Sequence, residues 1–458
     1  MAKERMIVVG AGPAGVRAAE VLVEAGLRPI VIDESEHDGG QIYRRQPASF
    51  GRSYKALYGT EALRAAKLHA TFEALRDKID YRPQSLAWNV TDGRLHVVEQ
   101  TRSVALRFDS LIIASGATDR LMPVRGWNMA GVYSLGAAQV ALKSQACAIG
   151  RNVVFVGTGP LLYLVASQYL KAGAGVVAVL DTAPGSGLAR ALPKLAARPG
   201  VLLKGIALIA GLRRRGVTID AGVTPLEITG TPDGGVSAVT VRAASGVERR
   251  IVCDAVALGY HLRPETQLAD LARCEFFFQR TTHQWLPVID VDGRTSTAGV
   301  YLAGDGSRLF GADGAEEMGQ LAALAVLTDI GHAVKPNRLA GLRRSLARMD
   351  RFRAGLAQAF PWPAHVAATL PDDTVVCRCE TITAGEIRRA AQANGSDEIN
   401  RIKAFSRVGM GRCQGRYCGH AAAEVIAAAA AVPVEFVGRL RSQAPVKPLS
   451  IAVDGVPE

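Results

Sequence analysis

The chain has 458 residues, 48% of them apolar and 21% charged, with 48 glycines, seven cysteines and a formal net charge of +12. That length predicts about three domains, and the composition excludes disordered, collagenous and coiled-coil classes. No run of apolar residues is long enough to span a bilayer, so no transmembrane segment is expected; the most apolar stretch, residues 421–432, carries Glu424 and is too short.

The apolar run at residues 6–9 flows straight into a glycine loop. A signal peptide would need a longer apolar core and a small-residue cleavage site. The reading is a first strand in a cytoplasmic protein, with peripheral contact at the inner membrane as the alternative. The loop is Gly10-Ala11-Gly12-Pro13-Ala14-Gly15, and apolar residues then recur at helical spacing to Gly26. A second apolar run, residues 29–32, ends at Asp33. Strand, G-x-G-x-x-G, helix, strand and acid make one dinucleotide-binding βαβ unit. Gly10 permits the tight turn, Gly12 admits a pyrophosphate, and Gly15 lets helix and strand pack closely. The helix N-terminus turns free N–H groups toward the phosphates. Asp33, 23 positions after Gly10, is placed for a ribose hydroxyl, with Glu34 as its neighbouring candidate.

A second unit follows. Residues 153–156 lead into Gly157-Thr158-Gly159-Pro160-Leu161-Leu162, then a helix, then a strand over residues 176–180 ending at Asp181. The third glycine position holds Leu162, which should push the helix outward and crowd a cofactor. Asp181 would repel a 2′-phosphate, which disfavours NADP. The loop reads two ways, as an adenine-nucleotide site at Gly157, Gly159 and Asp181 or as a structural remnant. Each unit is followed at a similar interval by a strand ending in glycine, Asp109 to Gly116 (through Ala114) and Asp254 to Gly259. The chain thus looks like two related domains, one inserted in the other. A later strand delivers Gly304-Asp305-Gly306 to a turn ahead of a helix that includes residues 318–327.

This order of motifs resembles the two-dinucleotide-domain flavoproteins, the glutathione reductase-like α/β class. The resemblance implies FAD held by Gly10, Gly12, Pro13, Ala14, Gly15, Asp33, Glu34, Gly40, Gln41, Ala114, Gly116, Gly304, Asp305 and Gln320. It gives Asp305 the ribityl chain, and the following helix N-terminus would favour a reduced, anionic flavin. Flavin-to-disulfide chemistry is excluded on motif grounds: Gly39-Gly40-Gln41-Ile42-Tyr43-Arg44-Arg45 lacks cysteine, and only Cys147 lies ahead of the second loop. Cys147, Cys253 and Cys274 read as isolated small hydrophobes. His261 and His283 show no carboxylate partner in sequence and read as structural or surface histidines.

After a linker at residues 356–374 come Cys377-Arg378-Cys379 and, 33 residues on, Cys413-Gln414-Gly415-Arg416-Tyr417-Cys418. Between the pairs, Thr383-Ala384-Gly385-Glu386 is a capping box, a second helix covers about residues 397–405, and a third follows Cys418. Glycines 411, 415 and 419 would let amides approach the sulfurs. Disulfides suit a cytoplasmic protein poorly, and C-x-C is not the usual zinc spacing. A [2Fe–2S] cluster on Cys377, Cys379, Cys413 and Cys418 is preferred over zinc, because a flavoprotein gives iron–sulfur a role. The segment resembles the bacterioferritin-associated ferredoxin-type domain, a small α-rich [2Fe–2S] fold.

The expected domains are therefore 1–120 and 285–355 for FAD, 121–284 for the insertion, 375–440 for the cluster and 441–458 as a tail. The whole chain resembles the larger (α or A) subunit of opine oxidases, also called octopine or nopaline dehydrogenases. Related to these are the α subunits of D-hydroxyproline and dye-linked L-proline dehydrogenases, the hydrogen cyanide synthase B subunit, and part of the sarcosine oxidase α subunit. The resemblance implies a smaller β subunit of D-amino-acid-oxidase type carrying its own FAD and the substrate pocket, with FMN between subunits and a small γ subunit in some members. Electrons would leave to a quinone or dye. The rival readings are a self-sufficient NADH-dependent ferredoxin-type reductase and a non-catalytic scaffold binding a nucleotide and zinc.

Overall fold

A computed structural model describes residues 4–231 and 233–450. The first glycine unit lies in a five-stranded parallel sheet ordered Val300–Leu302, Ser110–Ile113, Met6–Val9, Ile30–Ile32, Asp80–Arg82. All four residues of Met6–Val9 are buried, as a parallel strand covered on both faces must be. The second unit builds a five-stranded parallel sheet ordered Thr218–Ala221, Gly175–Asp181, Asn152–Thr158, Ala255–Tyr260, Val132–Ser134. Each domain adds a three-stranded antiparallel meander, residues 85–107 in the first and 224–252 in the second.

The internal likeness extends to a capping device. Asp109, just before its strand, accepts the Arg5 amide at 2.7 Å. Asp254 accepts the Arg151 and Asn152 amides at 3.0 and 2.8 Å. In both domains a carboxylate thus satisfies the backbone where the first strand begins.

The chain leaves the first domain along Ala117–Asp119 and returns along Leu262–Pro264, which pair antiparallel. The return falls about twenty residues before position 284, the boundary that spacing predicted. Leu268, Ala269, Ala272 and Cys274 already pack with Ile7, Val9 and Ile32 in the first domain's core. Sequence could not show this, because the segment between the return and Gln284 has no periodicity of its own.

The expected linker is not a tether. The Pro336–Ala359 helix packs on Ser186–Leu195 through Phe352, Ala359, Ala191 and Leu195. Trp362 then lies under the Arg120 guanidinium, 3.7 Å from ring centroid to cation, and donates to Glu424 at 2.9 Å. Ala367 and Leu370 join the core that the insertion shares with the C-terminal domain. That last domain is a short hairpin, Val375–Cys377 with Ile382–Thr383, and the helices Ala384–Asn394, Ile399–Ser406 and Gly419–Ala430. The first helix opens with the expected capping box.

Candidate functional site

At the first loop, Gly10 has φ +104°, and a Cβ there would stand 2.4 Å from the Ala114 carbonyl oxygen. A Cβ on Gly15 would meet the Gly10 carbonyl oxygen at 1.7 Å. Both positions therefore require glycine, and the Pro13–Glu24 helix starts directly on the loop with Pro13 at its first turn. Gly40 approaches Gly12 so closely that a Cβ on it would lie 3.0 Å from the Gly12 Cα. Gly304 packs on Ala14, and a Cβ on Gly319 would fall 2.0 Å from the Ala14 carbonyl oxygen. The Gly311–Asp329 helix thus crosses the first helix almost backbone to backbone, bringing the two halves of the FAD domain together at Ala14.

Asp305 accepts the Phe310 and Gly311 amides through Oδ1 at 2.9 and 3.0 Å. It thereby occupies the N-terminal turn of that helix. Its Oδ2 has no partner among the described residues, and burial pushes the carboxyl up to about 6. An acceptor so held, facing a glycine cradle, fits a ribityl hydroxyl. Gly116 (φ +72°) borders the same turn, since a Cβ on Gly306 would meet the Ser115 hydroxyl and the Gly116 amide. Gln41 is exposed and accepts from Arg44 at 2.8 Å.

Three of the candidate residues have partners within the chain. Asp33 spends Oδ2 on the Ala11 amide at 2.6 Å and Oδ1 on the Ser35 amide at 2.7 Å. One of these contacts is with the glycine loop and the other is with the residue two positions on. Glu34 pairs with Lys447. Gln320 lies apart from the cradle: Arg338 holds its amide at 3.2 Å, and it lines a separate basic cleft with Arg17 and Arg348. It is one residue past Gly319, so the close helix crossing turns it away from the loop.

The second loop keeps its glycine backbone and is crowded by its own chain. Gly157 has φ +139° and Gly159 φ +103°. Asp181 is 2% exposed and accepts three hydrogen bonds within the domain: Thr158 Oγ1 and the Ala183 amide donate to Oδ1 at 2.7 and 2.8 Å, and Tyr163 donates to Oδ2 at 2.6 Å. The His261 ring sits where a Cβ on Gly159 would be, 2.9 Å to Nδ1. Its Nε2 lies 2.6 Å from the Phe360 carbonyl oxygen, and burial pulls the imidazole down to about 4, so it is neutral at physiological pH. Phe360 also stacks toward Tyr163 at 6.4 Å between centroids. Leu162 is fully buried in the domain core. His261 against Gly159 and Phe360 beside Tyr163 crowd this loop, which favours the structural-remnant reading of Gly157, Gly159 and Asp181 over the adenine-nucleotide one.

The four C-terminal cysteines converge. Cys418 touches Cys377 and Cys413, and Cys413 touches Cys379. They do not close into one ion's sphere: among the described residues no group of three or more His, Cys, Asp or Glu side chains is arranged to hold a single metal ion. The contact with Cys418, helped by backbone amides, pulls the Cys377 and Cys413 thiols down to about 6 and about 5. The amides are those of Gly409 and Glu380 toward Cys377, and of Tyr417 and Gly415 toward Cys413. Four sulfurs, two of them readily ionised and ringed by N–H donors, fit the donor set of a [2Fe–2S] cluster. Of the glycines expected to supply amides, Gly415 does so. Gly411 instead lies against Cys379, where a Cβ would stand 2.2 Å from the cysteine's own. Gly419 packs near Leu440.

A hydrogen-bonded bridge joins the two centres. Arg416, between the last two cysteines, donates to Glu265 at 2.7 Å, and both side chains are nearly buried. Arg263 donates to the Arg416 carbonyl at 3.1 Å, and Gln267 to the Gln414 carbonyl at 3.1 Å. The Glu265 carbonyl accepts from Ser115 at 2.6 Å, beside Gly116 and Gly306. Glu265 feels burial upward, but Arg416 and Arg263 outweigh it and hold the carboxyl below its ordinary range. None of Arg263, Glu265 or Gln267 was visible in sequence, because they lie on the return strand and helix, 150 residues from the cysteines. Their only signal was Arg416 inside the cysteine spacing. His283 is also corrected: its Nδ1 lies 2.8 Å from Glu424, a carboxylate 141 positions away. Cys253 and Cys274 are buried as expected, whereas Cys147 is exposed.

This combination defines a flavin oxidoreductase of the two-dinucleotide-domain class with an attached iron–sulfur domain. The chain matches the pyridine nucleotide-disulphide oxidoreductase family over residues 4–325 and the BFD-like [2Fe-2S] binding domain over residues 375–428, which imply FAD and a [2Fe–2S] cluster. It belongs to the family of opine oxidase A subunits. It is 36% identical to the A subunit of opine oxidase from Rhizobium meliloti over 98% of this chain and 86% of that one. It is 31% identical to hydrogen cyanide synthase subunit HcnB of Pseudomonas aeruginosa over 90% of each. In fold it resembles the crystal structure of L-proline dehydrogenase from P. horikoshii, with TM-score 0.69 at 18% identity over 98% of this chain and 79% of that one. The chain is an oxidoreductase.

Proposed function

We propose that this chain is the electron-relay subunit of a heteromeric dehydrogenase acting on CH–NH donors. A partner β subunit of D-amino-acid-oxidase type oxidises an opine such as octopine or nopaline, or a secondary amino acid. This chain passes the electrons to a quinone or dye. An FMN at the subunit contact and a small γ subunit belong to the same proposal. FAD and the cluster, when bound, supply one- and two-electron storage.

The chain's own residues do the positioning. The Gly10–Gly15 loop and the helix that starts at Pro13 hold the dinucleotide phosphates. Asp305 holds the ribityl chain, with Asp33 bracing the loop. Amides of Gly409, Glu380, Gly415 and Tyr417 hold the cysteine sulfurs. Arg416 and Glu265 fix the cysteine loop on the FAD domain.

The observation that carries the proposal is the crowded second loop. Tyr163, His261 and Phe360 packed around the second loop disfavour a nicotinamide donor there, so this reading takes the electrons from a partner subunit. Stopped-flow mixing of the holo-chain with NADH tests this. No flavin bleaching on the turnover timescale is expected; rapid bleaching would return the NADH-dependent reductase. Among the described residues no helix is long and apolar enough to cross a membrane.

A further inference from the structure

The excess positive charge is not spread evenly. Residues 182–219 contain Arg190, Lys194, Arg198, Lys204, Arg213, Arg214 and Arg215 and no carboxylate, so this stretch of the insertion holds seven positive charges of a chain whose net is +12. It forms two helices, Ser186–Leu195 and Pro199–Arg214.

The same helices expose apolar side chains. Leu203 is 64% exposed, Ile206 52%, Leu192 48% and Leu188 43%. Of the 16 residues in Pro199–Arg214, Leu212 alone is buried. A helix normally packs a broad apolar stripe against its domain. Here Leu202, Leu208, Ile209 and Leu212 pack inward, whereas Val201, Leu203 and Ile206 face outward on a helix that also carries Lys204, Arg213 and Arg214. An exposed apolar patch with a charged rim is the anatomy of a protein contact surface.

The patch borders a cleft of about 800 Å³ lined by Arg64, Lys67, Lys204 and Arg348 together with Asp313 and Glu317. Asp313 is in the first turn of the Gly311–Asp329 helix, whose leading amide, with that of Phe310, holds Asp305. The floor of the cleft is therefore the flavin helix itself, within a turn of the flavin-motif aspartate.

We infer that the 182–219 lobe and this cleft are the docking surface for the substrate-oxidising partner subunit. The inference rests on the heteromeric reading above. The occupant is a folded polypeptide that presents carboxylates around apolar knobs and reaches into the cleft. Charge complementarity selects it. A second copy of this chain would bring the same seven cations against each other. A lipid surface would leave this concave cleft unfilled, with Glu317 facing anionic headgroups, whereas Asp313 is already paired with Arg64 and Arg198. A partner seated here contacts the flavin helix on the face that carries Gln320.

The test uses the native complex purified from its source organism. In the complex, hydrogen exchange should slow at residues 186–214 and 63–67 relative to the lone chain. The L203D/I206D double variant alters only exposed side chains. It should keep flavin and cluster absorbance yet weaken partner retention by about 100-fold, and raised salt should weaken the wild-type contact in the same direction. Full partner retention by the variant, or protection confined to another face, would overturn the surface while leaving the heteromer intact. A wild-type chain that purifies without any partner overturns both readings. A lone-chain dimer broken by the variant assigns the face to a second copy. Binding to phosphatidylglycerol vesicles that the variant abolishes, with the complex unaffected, assigns it to the membrane. Either result overturns the proposal.

Discussion

At the first loop, Gly15 lies against the Gly10 carbonyl, Asp33 bonds the Ala11 amide, and Asp305 keeps one oxygen free beside the cradle. At the second, the equivalent third position is a buried leucine, the acid accepts from Thr158, Tyr163 and the Ala183 amide, and a histidine lies against Gly159. The two strands, the helix and the glycine torsions are alike. What differs is what stands in front of the loop. Beside the second loop stand Tyr163 and the Phe360 segment, which arrives from the end of a helix nearly 200 residues later. A glycine loop is therefore a backbone shape, and binding depends on what the rest of the chain puts against it.

The largest effect is expected at the first loop. Gly15→Ala drives a methyl into a backbone carbonyl that cannot move aside, at more than about 3 kcal/mol. The expected result is loss of the flavin spectrum and a lowered melting temperature; a variant that keeps stoichiometric flavin would show that the cradle is not where the cofactor sits. In the second loop, Leu162→Ala should cost about 2–5 kcal/mol as a core deletion, with flavin content unchanged and no reactivity toward NADH gained. Gain of NADH reactivity would mean that Leu162 alone had closed the site.

Glu265 connects the two domains' exits to the cysteine loop. Glu265→Gln leaves Arg416 nearly buried without its charge partner, at about 3 kcal/mol. Because its folded-state pKa is depressed, the wild-type stabilisation is present above the unfolded value of about 4.3 and is lost as pH falls through the depressed one. Melting curves from pH 7 down to pH 3 should show the wild-type advantage over the Gln variant constant above about pH 4.3 and shrinking below it. The smallest effect is expected for Tyr163→Phe, which removes one donor from buried Asp181 for about 1–3 kcal/mol. Chemical denaturation should detect it with the flavin and cluster spectra unaltered; a changed flavin spectrum would tie the second loop to the first after all.

Much of this was legible locally. The strand, loop, helix and acid of each unit, the Asp305 turn, the capping box at Thr383 and the cysteine spacing all lie within short windows, where backbone sterics and side-chain period dictate the outcome. Four cysteines in C-x-C and C-x4-C already implied one site. Even Leu162 warned that the second loop had changed, although the leucine is only part of the crowding.

The tertiary structure decided what each local shape is used for. Asp33 turned out to brace its loop, and Gln320 turned away, because a close helix crossing at Ala14 and Gly319 sets which face of the helix meets the cradle. His283 met Glu424, and Arg416 met Glu265, across 141 and 151 positions. Such pairs leave no periodic trace, since a buried charge is satisfied by whatever the fold brings near. Sequence by itself determined the class of cofactor sites this protein builds. The three-dimensional packing determined which glycine loop is crowded and how the cysteine loop is tied to the flavin domain, because those outcomes depend on contacts between segments whose separation along the chain carries no information about their distance in space.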